Sequence, residues 1–374
     1  MSLFEVYPLF NITPVKAKDV FIYDEKGTEY LDLYGGHAVI SIGHSHPHYV
    51  YNLTRQLNEI GFYSNSIQNP LQLKLADKLT TLSNCQGYQL FLCNSGAEAN
   101  ENALKLASFK TGKKKVIAFN NSFHGRTSAA LAATDNSKIV APINAQQEVE
   151  FIELGDLVST ESALKKNDVC AVIIECIQGV GGLDESTSDF YQGLDALTKR
   201  YGALLIVDEV QSGFGRTGDF FAFQKYSIKP DIISMAKGMG NGFPVGGILI
   251  HPAINASFGQ LGTTFGGNHL ACAASLAVLK VLENEQLIER VAIVSAYFVE
   301  KTKSLPKLKN IKGRGLMLGL EFNFPVSELR KALIYEHHIF TGSAKNPNLL
   351  RILPPLTIKE EHIDLLFEAL LKEL

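Results

Sequence analysis

The segment DIISMAKGMGNGFPVGG, residues 231–247, sets a single lysine, Lys237, directly behind an apolar run and directly before a glycine-rich loop. A surface lysine needs neither neighbour. A lysine whose amine does chemistry is served by both, because burial lowers an amine's pKa and glycines let a ligand approach the backbone. The run before Lys237 is short and β-branched, as a buried strand is. The same pattern recurs upstream in YQLFLC, KKVIAF, CAVIIE and ALLIVD, and GGILI follows the glycine loop. Helical periodicity lies between them, in AEANENALKLASFK and SDFYQGLDALTKRYG. Short buried strands alternating with helices predict an α/β fold whose central sheet is mostly parallel and covered on both faces.

Around this unit the pattern changes. The N-terminal part reads as extended segments, with a Glu-Lys-Gly turn signal inside VFIYDEKGTEYLDLYGG. A long helical run begins near His269, and the tail carries a strand, GLMLGLEF, and a last helix, KEEHIDLLFEALLKEL. The expected division is a large domain over residues 49–274 and a smaller α+β domain made of residues 1–48 and 275–374. A chain of 374 residues with formal net charge −3 is not built to hold nucleic acid or an acidic membrane. Its five cysteines are scattered, with no metal-ligand spacing, which suits a reducing cytoplasm better than a disulfide scaffold. MSLFEVYPLF has no signal-peptide pattern, and no apolar run is long enough to span a bilayer.

In open α/β sheets, ligands sit beyond the carboxyl ends of the strands. Each residue there has a plain role beside a ligand-binding one. Ser95, Gly96 and Ala97 open a helix after YQLFLC; free amides at a helix start make an anion seat, or an ordinary N-cap. Phe123 and Arg126 follow KKVIAF; one could stack on a ring and the other grip a carboxylate, or they are a core residue and a solvated arginine. Asp208 ends ALLIVD and needs a cationic partner or strong hydrogen bonds, with Gln211 one turn away; a structural ion pair is the alternative. Glu175 ends CAVIIE, for acid–base work, for loop support or for a salt bridge, with support preferred. Thr263 and Thr264 precede a Gly-Gly turn, suited to a phosphate oxygen or simply to a helix entry. Together these parts match pyridoxal 5'-phosphate: a phosphate cradle, a stacking ring, an acid for the ring nitrogen and an amine for the aldehyde.

With these motifs in order, the chain resembles the class III (ω-amino acid) aminotransferases of pyridoxal-phosphate fold type I, in the acetylornithine aminotransferase branch. The resemblance runs from TPVKAKDVFIYDEKGTEYLDLYGGHAVISIGHSHP through NSGAEANENALKLA, FHGR, IQGVGG, VDEVQSGFGRTG, AKGMGNGFPVGG and TTFGGNHLAC to LLRILPP. It implies that Lys237 carries the cofactor covalently and shuttles the substrate proton, while Asp208 keeps the pyridine nitrogen protonated. It places Gln211 near the ring oxygen, Phe123 on the ring face, and Ser95, Gly96 and Ala97 on the phosphate, joined by Thr264 from a partner subunit. Arg126, helped by Tyr7, is implied to bind the substrate α-carboxylate, and Arg351 the carboxylate of 2-oxoglutarate. A homodimer with shared active sites is part of the same expectation.

Two departures stand out. Val180 in GVGG replaces the acid that relatives carry there to mask the arginine matching Arg351, and His37 in GGHAV faces the entering donor. The resemblance implies transfer of the terminal amino group of an acylated ornithine to 2-oxoglutarate, in arginine biosynthesis. N-acetylornithine leads as donor. N-succinylornithine follows, because a donor with an extra carboxylate would meet an unmasked Arg351 or His37. Ornithine and 4-aminobutyrate transaminases, a glutamate-semialdehyde aminomutase and a non-catalytic cofactor-binding regulator are the other readings. A nicotinamide dehydrogenase is disfavoured, since no GxGxxG follows the first strand of a βαβ unit.

Overall fold

A computed structural model describes residues 3–374 of the chain. Three sheets organise it. The N-terminal strands β1 (Pro14–Lys18), β2 (Phe21–Asp24) and β3 (Glu29–Asp32) form an antiparallel meander, with the β2–β3 hairpin closed at the Glu-Lys-Gly turn. The central sheet holds β4 (Gln89–Cys93), β5 (Lys115–Phe119), β6 (Val149–Ile152), β7 (Val169–Ile174), β8 (Leu204–Asp208), β9 (Ile232–Met235) and β10 (Gly246–Ile250). Their order is β4-β10-β9-β8-β7-β5-β6. The tail supplies β11 (Leu308–Arg314), β12 (Met317–Phe322), β13 (Ile339–Phe340), β14 (Gly342–Ser343) and β15 (Leu349–Ile352). Four of these make the antiparallel sheet β11-β12-β15-β14, while β13 pairs in parallel with β3 and so ties the tail to the N-terminal meander.

In the central sheet only β10 runs against the others. It pairs antiparallel with both β9 and β4, whereas β6, β5, β7, β8 and β9 are joined in parallel. The cause is chain length: residues 236–245 are too few for a parallel crossover, which needs a dozen or more. As a result β4, β5, β7, β8 and β9 all end on one edge, and β10 begins there. Every residue of β7, β9 and β10 is buried, as a sheet covered on both faces requires.

The glycine loop does something other than expected. A Cβ on Gly246 would lie 2.7 Å from the Ser95 carbonyl oxygen, one on Gly247 2.7 Å from that of Phe91, and one on Gly240 would collide with the Phe243 carbonyl. These glycines let backbone pack on backbone, and none of them lines the cleft described below. Asn241 fastens the loop to the N-terminal segment, accepting from Ser41 N (2.8 Å) and Ile42 N (3.1 Å) and donating to Gly43 O (2.9 Å). Two other elements depart from the sequence reading. The long helical run is two helices, His269–Asn284 and Leu287–Thr302, broken at Gln286, whose φ is 50°. The break lets both apolar faces reach the core, through Val278 and Leu282 on one and Val291 and Val294 on the other. The edge strand β6 has no apolar run because it has only one neighbour, and Glu150 on it pairs with Lys115 of β5 at 2.5 Å. The helix His269–Asn284 runs across residue 275. Among the described residues no helix is long and apolar enough to cross a membrane.

Candidate active site

The carboxyl edge of the central sheet opens into two adjoining chambers. The inner, of about 200 Å³, is lined by Gly96, Ala97, Phe123, Asp208, Gln211 and Lys237, among others. The outer, of about 570 Å³, shares Phe123, Arg126, Val180, Gln211 and Lys237 with it and adds Tyr34, His37, Lys345 and Arg351.

Lys237 stands just past the end of β9, at the start of a single 3-10 turn, Lys237–Met239. Its φ is 46°, a left-handed conformation that costs any residue with a Cβ energy and recurs at working sites. Among the described residues its amine has no hydrogen-bond or ion-pair partner. Burial lowers its pKa below the ordinary lysine value; the carboxylates of Asp208 and Glu175 offset part of that. A lysine so placed is closer to a free-base nucleophile than one in water.

Asp208 ends β8, the strand paired with β9, and its register partner is Ser234. Its Oδ2 accepts from Asn100 Nδ2 at 2.7 Å and from His124 Nδ1 at 2.8 Å, and its Oδ1 accepts from Val210 N at 3.0 Å. Asn100 is aimed in turn by Ser234 Oγ, which donates to its Oδ1 at 2.5 Å. The carboxylate is therefore held against the chamber wall by Asn100, His124 and the Val210 amide, with no lysine or arginine partner among the described residues. Neither Asn100 nor Ser234 was expected. Their signal was a polar residue inside an otherwise apolar helix face and another inside the apolar run IISM.

The far end of the inner chamber is the N-terminus of the helix Gly96–Thr111. Ser95 caps it, its Oγ accepting from Glu98 N at 3.2 Å, while the amides of Gly96 and Ala97 have no protein acceptor among the described residues. A Cβ on Gly96 would sit 2.5 Å from Val210 Cγ1, so only glycine admits this close seating of helix on loop. Unpaired helix-start amides, a fixed carboxylate, an unpartnered amine and the Phe123 ring thus line one chamber. This donor set fits a phosphorylated, aromatic, cationic-ring aldehyde. Glu175 supports that wall: Oε1 accepts from Phe123 N and Oε2 from Gly179 N, both at 2.9 Å. Burial raises its pKa, although neighbouring His124 opposes the shift.

In the outer chamber Arg351 is only 2% exposed, and every partner it has is neutral. Nε donates to Ser343 O and Nη1 to Gly179 O, both at 2.6 Å, and Nη1 reaches Gln211 Oε1 at 3.5 Å. Arg126, exposed at the cleft, has no acceptor among the described residues. Gln211 lies between Arg351 and His37 O, to which it donates at 3.5 Å. His37 is reached by the Tyr34 hydroxyl at 2.5 Å, and burial together with Arg351 and Lys237 pushes its pKa down to about 4. Two expected residues lie elsewhere. Tyr7 is 76% exposed and Thr264 is exposed, and neither lines a chamber of its own chain. Lys345 was missed; its backbone N–H donates to Val180 O at 2.9 Å and its amine pairs with Asp135 at 3.0 Å.

The sequence matches the class-III aminotransferase family over residues 5–374, and the chain belongs to that family. It is 39% identical over 368 residues to the acetylornithine aminotransferase of Bacillus subtilis, covering 97% of this chain and 94% of the relative. To that of Aquifex aeolicus it is 41% identical over 371 residues, covering 96% of each. Among solved structures, it resembles an ornithine aminotransferase of Toxoplasma gondii, crystallized with partial occupancy of PLP at its active site. The TM-score is 0.90 at 29% identity, over 98% of this chain and 90% of that one.

Proposed function

We propose that the chain transfers the terminal amino group of N-acetylornithine to 2-oxoglutarate with pyridoxal 5'-phosphate, yielding N-acetylglutamate semialdehyde and glutamate. The carrying observation is the unpartnered, pKa-depressed amine of Lys237 in one small chamber with the rigidly held carboxylate of Asp208. When bound, the cofactor supplies an aldehyde for amino groups and a ring that stabilises the charge left as a proton departs. Lys237 would hold it covalently and then, released, would carry the proton between the substrate carbon and the former aldehyde carbon on the other side of the nitrogen. Asp208 would keep a proton on the ring nitrogen, its own geometry fixed by Asn100 and His124. Ser95, Gly96 and Ala97 would seat the phosphate at the helix terminus, Phe123 would cover the ring, and Gln211 would hydrogen-bond its oxygen. Arg126 would take the donor's α-carboxylate, and Arg351 the carboxylate of the acceptor.

The placing of Thr264 and Tyr7 outside their own chain's chambers supports a shared active site. Thr264 adjoins Phe265, which is 61% exposed and packs on exposed Phe62 with centroids 5.5 Å apart. An aromatic patch of this kind suits an isologous dimer face, with Thr264 joining the partner's phosphate seat. Residues 49–274 would form the cofactor-binding body, and the two ends the smaller one. Five buried free cysteines suit the reducing cytoplasm.

One observation favours a second donor. Arg351 is a buried cation with no carboxylate partner, so a donor carrying its own distal carboxylate, N-succinylornithine, would relieve it. A donor screen against 2-oxoglutarate decides. The first reading expects kcat/KM at least about tenfold higher for the acetyl than for the succinyl compound, with free ornithine and 4-aminobutyrate poorer still; the reverse order selects the second.

A further inference from the structure

We propose that Tyr34 is a positioning residue for Arg351, its ring flanking the guanidinium and its hydroxyl held by His37. The proposal rests on Arg351 being the carboxylate receptor of the outer chamber.

A buried guanidinium with only carbonyl acceptors needs further compensation. Arg351 finds it in an aromatic face: its Cζ lies 6.0 Å from the centroid of Tyr34, within cation–π range. The ring fits there because the facing strand carries no side chain at the position opposite Arg351. Gly342 of β14 is the register partner of Arg351 on β15, and a Cβ on Gly342 would lie 2.5 Å from Tyr34 Cε2 and 3.1 Å from Arg351 Cβ. The ring, the glycine slot and the arginine therefore form one layer. The two carbonyls fix Nε and Nη1, and the ring restrains the plane. Nη2 donates to no carbonyl or carboxylate among the described residues and is left for a ligand anion.

The backbone that delivers Tyr34 is strained in a way that packing alone would not need. Residues 35–38 form a left-handed turn, with φ of 55° at Gly35, 55° at Gly36, 69° at His37 and 62° at Ala38. His37 and Ala38 pay a steric penalty there, and such strain gathers at working sites. Asp32 pins the entry, its Oδ1 accepting from Tyr34 N at 3.0 Å and Gly35 N at 2.8 Å. The turn swings His37 back under Tyr34, where its Nδ1 meets the hydroxyl at 2.5 Å. Because burial, helped by the nearby cations Arg351 and Lys237, keeps His37 neutral, it can accept that proton. Tyr34 is thus gripped at both ends, by its backbone and by its hydroxyl. With no anionic partner to displace, Arg351 stays open to a substrate carboxylate.

The test is calorimetric titration of the cofactor-loaded enzyme with glutarate, a dicarboxylate that cannot react. Tyr34→Leu is expected to raise the dissociation constant about tenfold, equivalent to about 1.4 kcal/mol. Tyr34→Phe, which keeps the ring, should stay within about threefold of wild type. Arg351→Gln should lose binding altogether. Gly342→Ala crowds the ring without altering Tyr34 and should match the leucine variant, which keeps the test alive if Tyr34→Leu does not fold. Wild-type affinity in both Tyr34→Leu and Gly342→Ala, with binding lost in Arg351→Gln, overturns the positioning role. Equal losses in Tyr34→Phe and Tyr34→Leu overturn the role of the ring face. Undiminished binding in Arg351→Gln would instead overturn the receptor reading on which the proposal rests.

Discussion

Placing a carboxylate beside Arg351 is the sharpest perturbation of the outer chamber. Val180 lines that chamber together with Arg351, and the residue before it, Gly179, already accepts from Nη1 at 2.6 Å. The backbone at this point is fixed on both sides, since Val180 O accepts from Lys345 N at 2.9 Å. A glutamate here would therefore enter open cavity with its backbone held, and its carboxylate could reach the guanidinium. A hydrogen bond between such charged groups contributes about 1.5–3 kcal/mol net. An incoming dicarboxylate must displace it, so Val180→Glu should raise the KM for 2-oxoglutarate roughly 10- to 100-fold. The KM for N-acetylornithine, whose α-carboxylate is assigned to Arg126, should change by less than about threefold. Initial rates with each substrate varied at saturation of the other give both numbers. A 2-oxoglutarate KM within twofold of wild type would refute the reasoning, because Arg351 would then not be the group that receives the acceptor.

Asp208→Asn leaves Asn100 and His124 donating to an amide and removes the charge opposite the ring nitrogen; kcat should fall at least about a hundredfold, measured by glutamate production, and a loss under tenfold would contradict the role. His37 is held at about 4 in the folded protein against about 6.5 in an unfolded chain, so the unfolded state takes up the proton first on acidification. In the cofactor-free protein its contribution to stability is present above about 6.5 and is lost as pH falls towards 4; Tm should drop more across that window in wild type than in His37→Gln, and parallel curves would refute it. Phe265→Asp should yield a monomer in analytical ultracentrifugation, and an unchanged dimer would remove the aromatic patch from the interface.

The inner chamber was legible because its residues obey a local rule. An apolar run that ends in a polar or small residue marks the carboxyl edge of a buried strand, and Lys237, Asp208, Glu175, Phe123 and Ser95 all follow such runs. The reversal at β10 was not drawn from the sequence, although its cause lies there: residues 236–245 are too short a link for a parallel crossover. What local pattern cannot carry is a partner drawn from far along the chain. Asn100 reads as a polar interruption of a helix until the fold sets it 2.7 Å from Asp208. Tyr34, Gly342 and Arg351 come together only when β14 closes on β15 beside the N-terminal turn, so the layer they form had no signature. The glycines after Lys237 were misread for a related reason: what they approach is the protein's own backbone, which sequence does not reveal. Tyr7 and Thr264 lie outside their own chain's chambers, a placement no local pattern announces.

The most direct test is chemical labelling of the lysine. The purified protein is incubated with pyridoxal 5'-phosphate, reduced with borohydride, digested and examined by mass spectrometry. The prediction is a single phosphopyridoxyl adduct on Lys237, lost in Lys237→Ala without transfer to another residue. No adduct, or an adduct on another lysine such as Lys345 with Lys237 unlabelled, would contradict it.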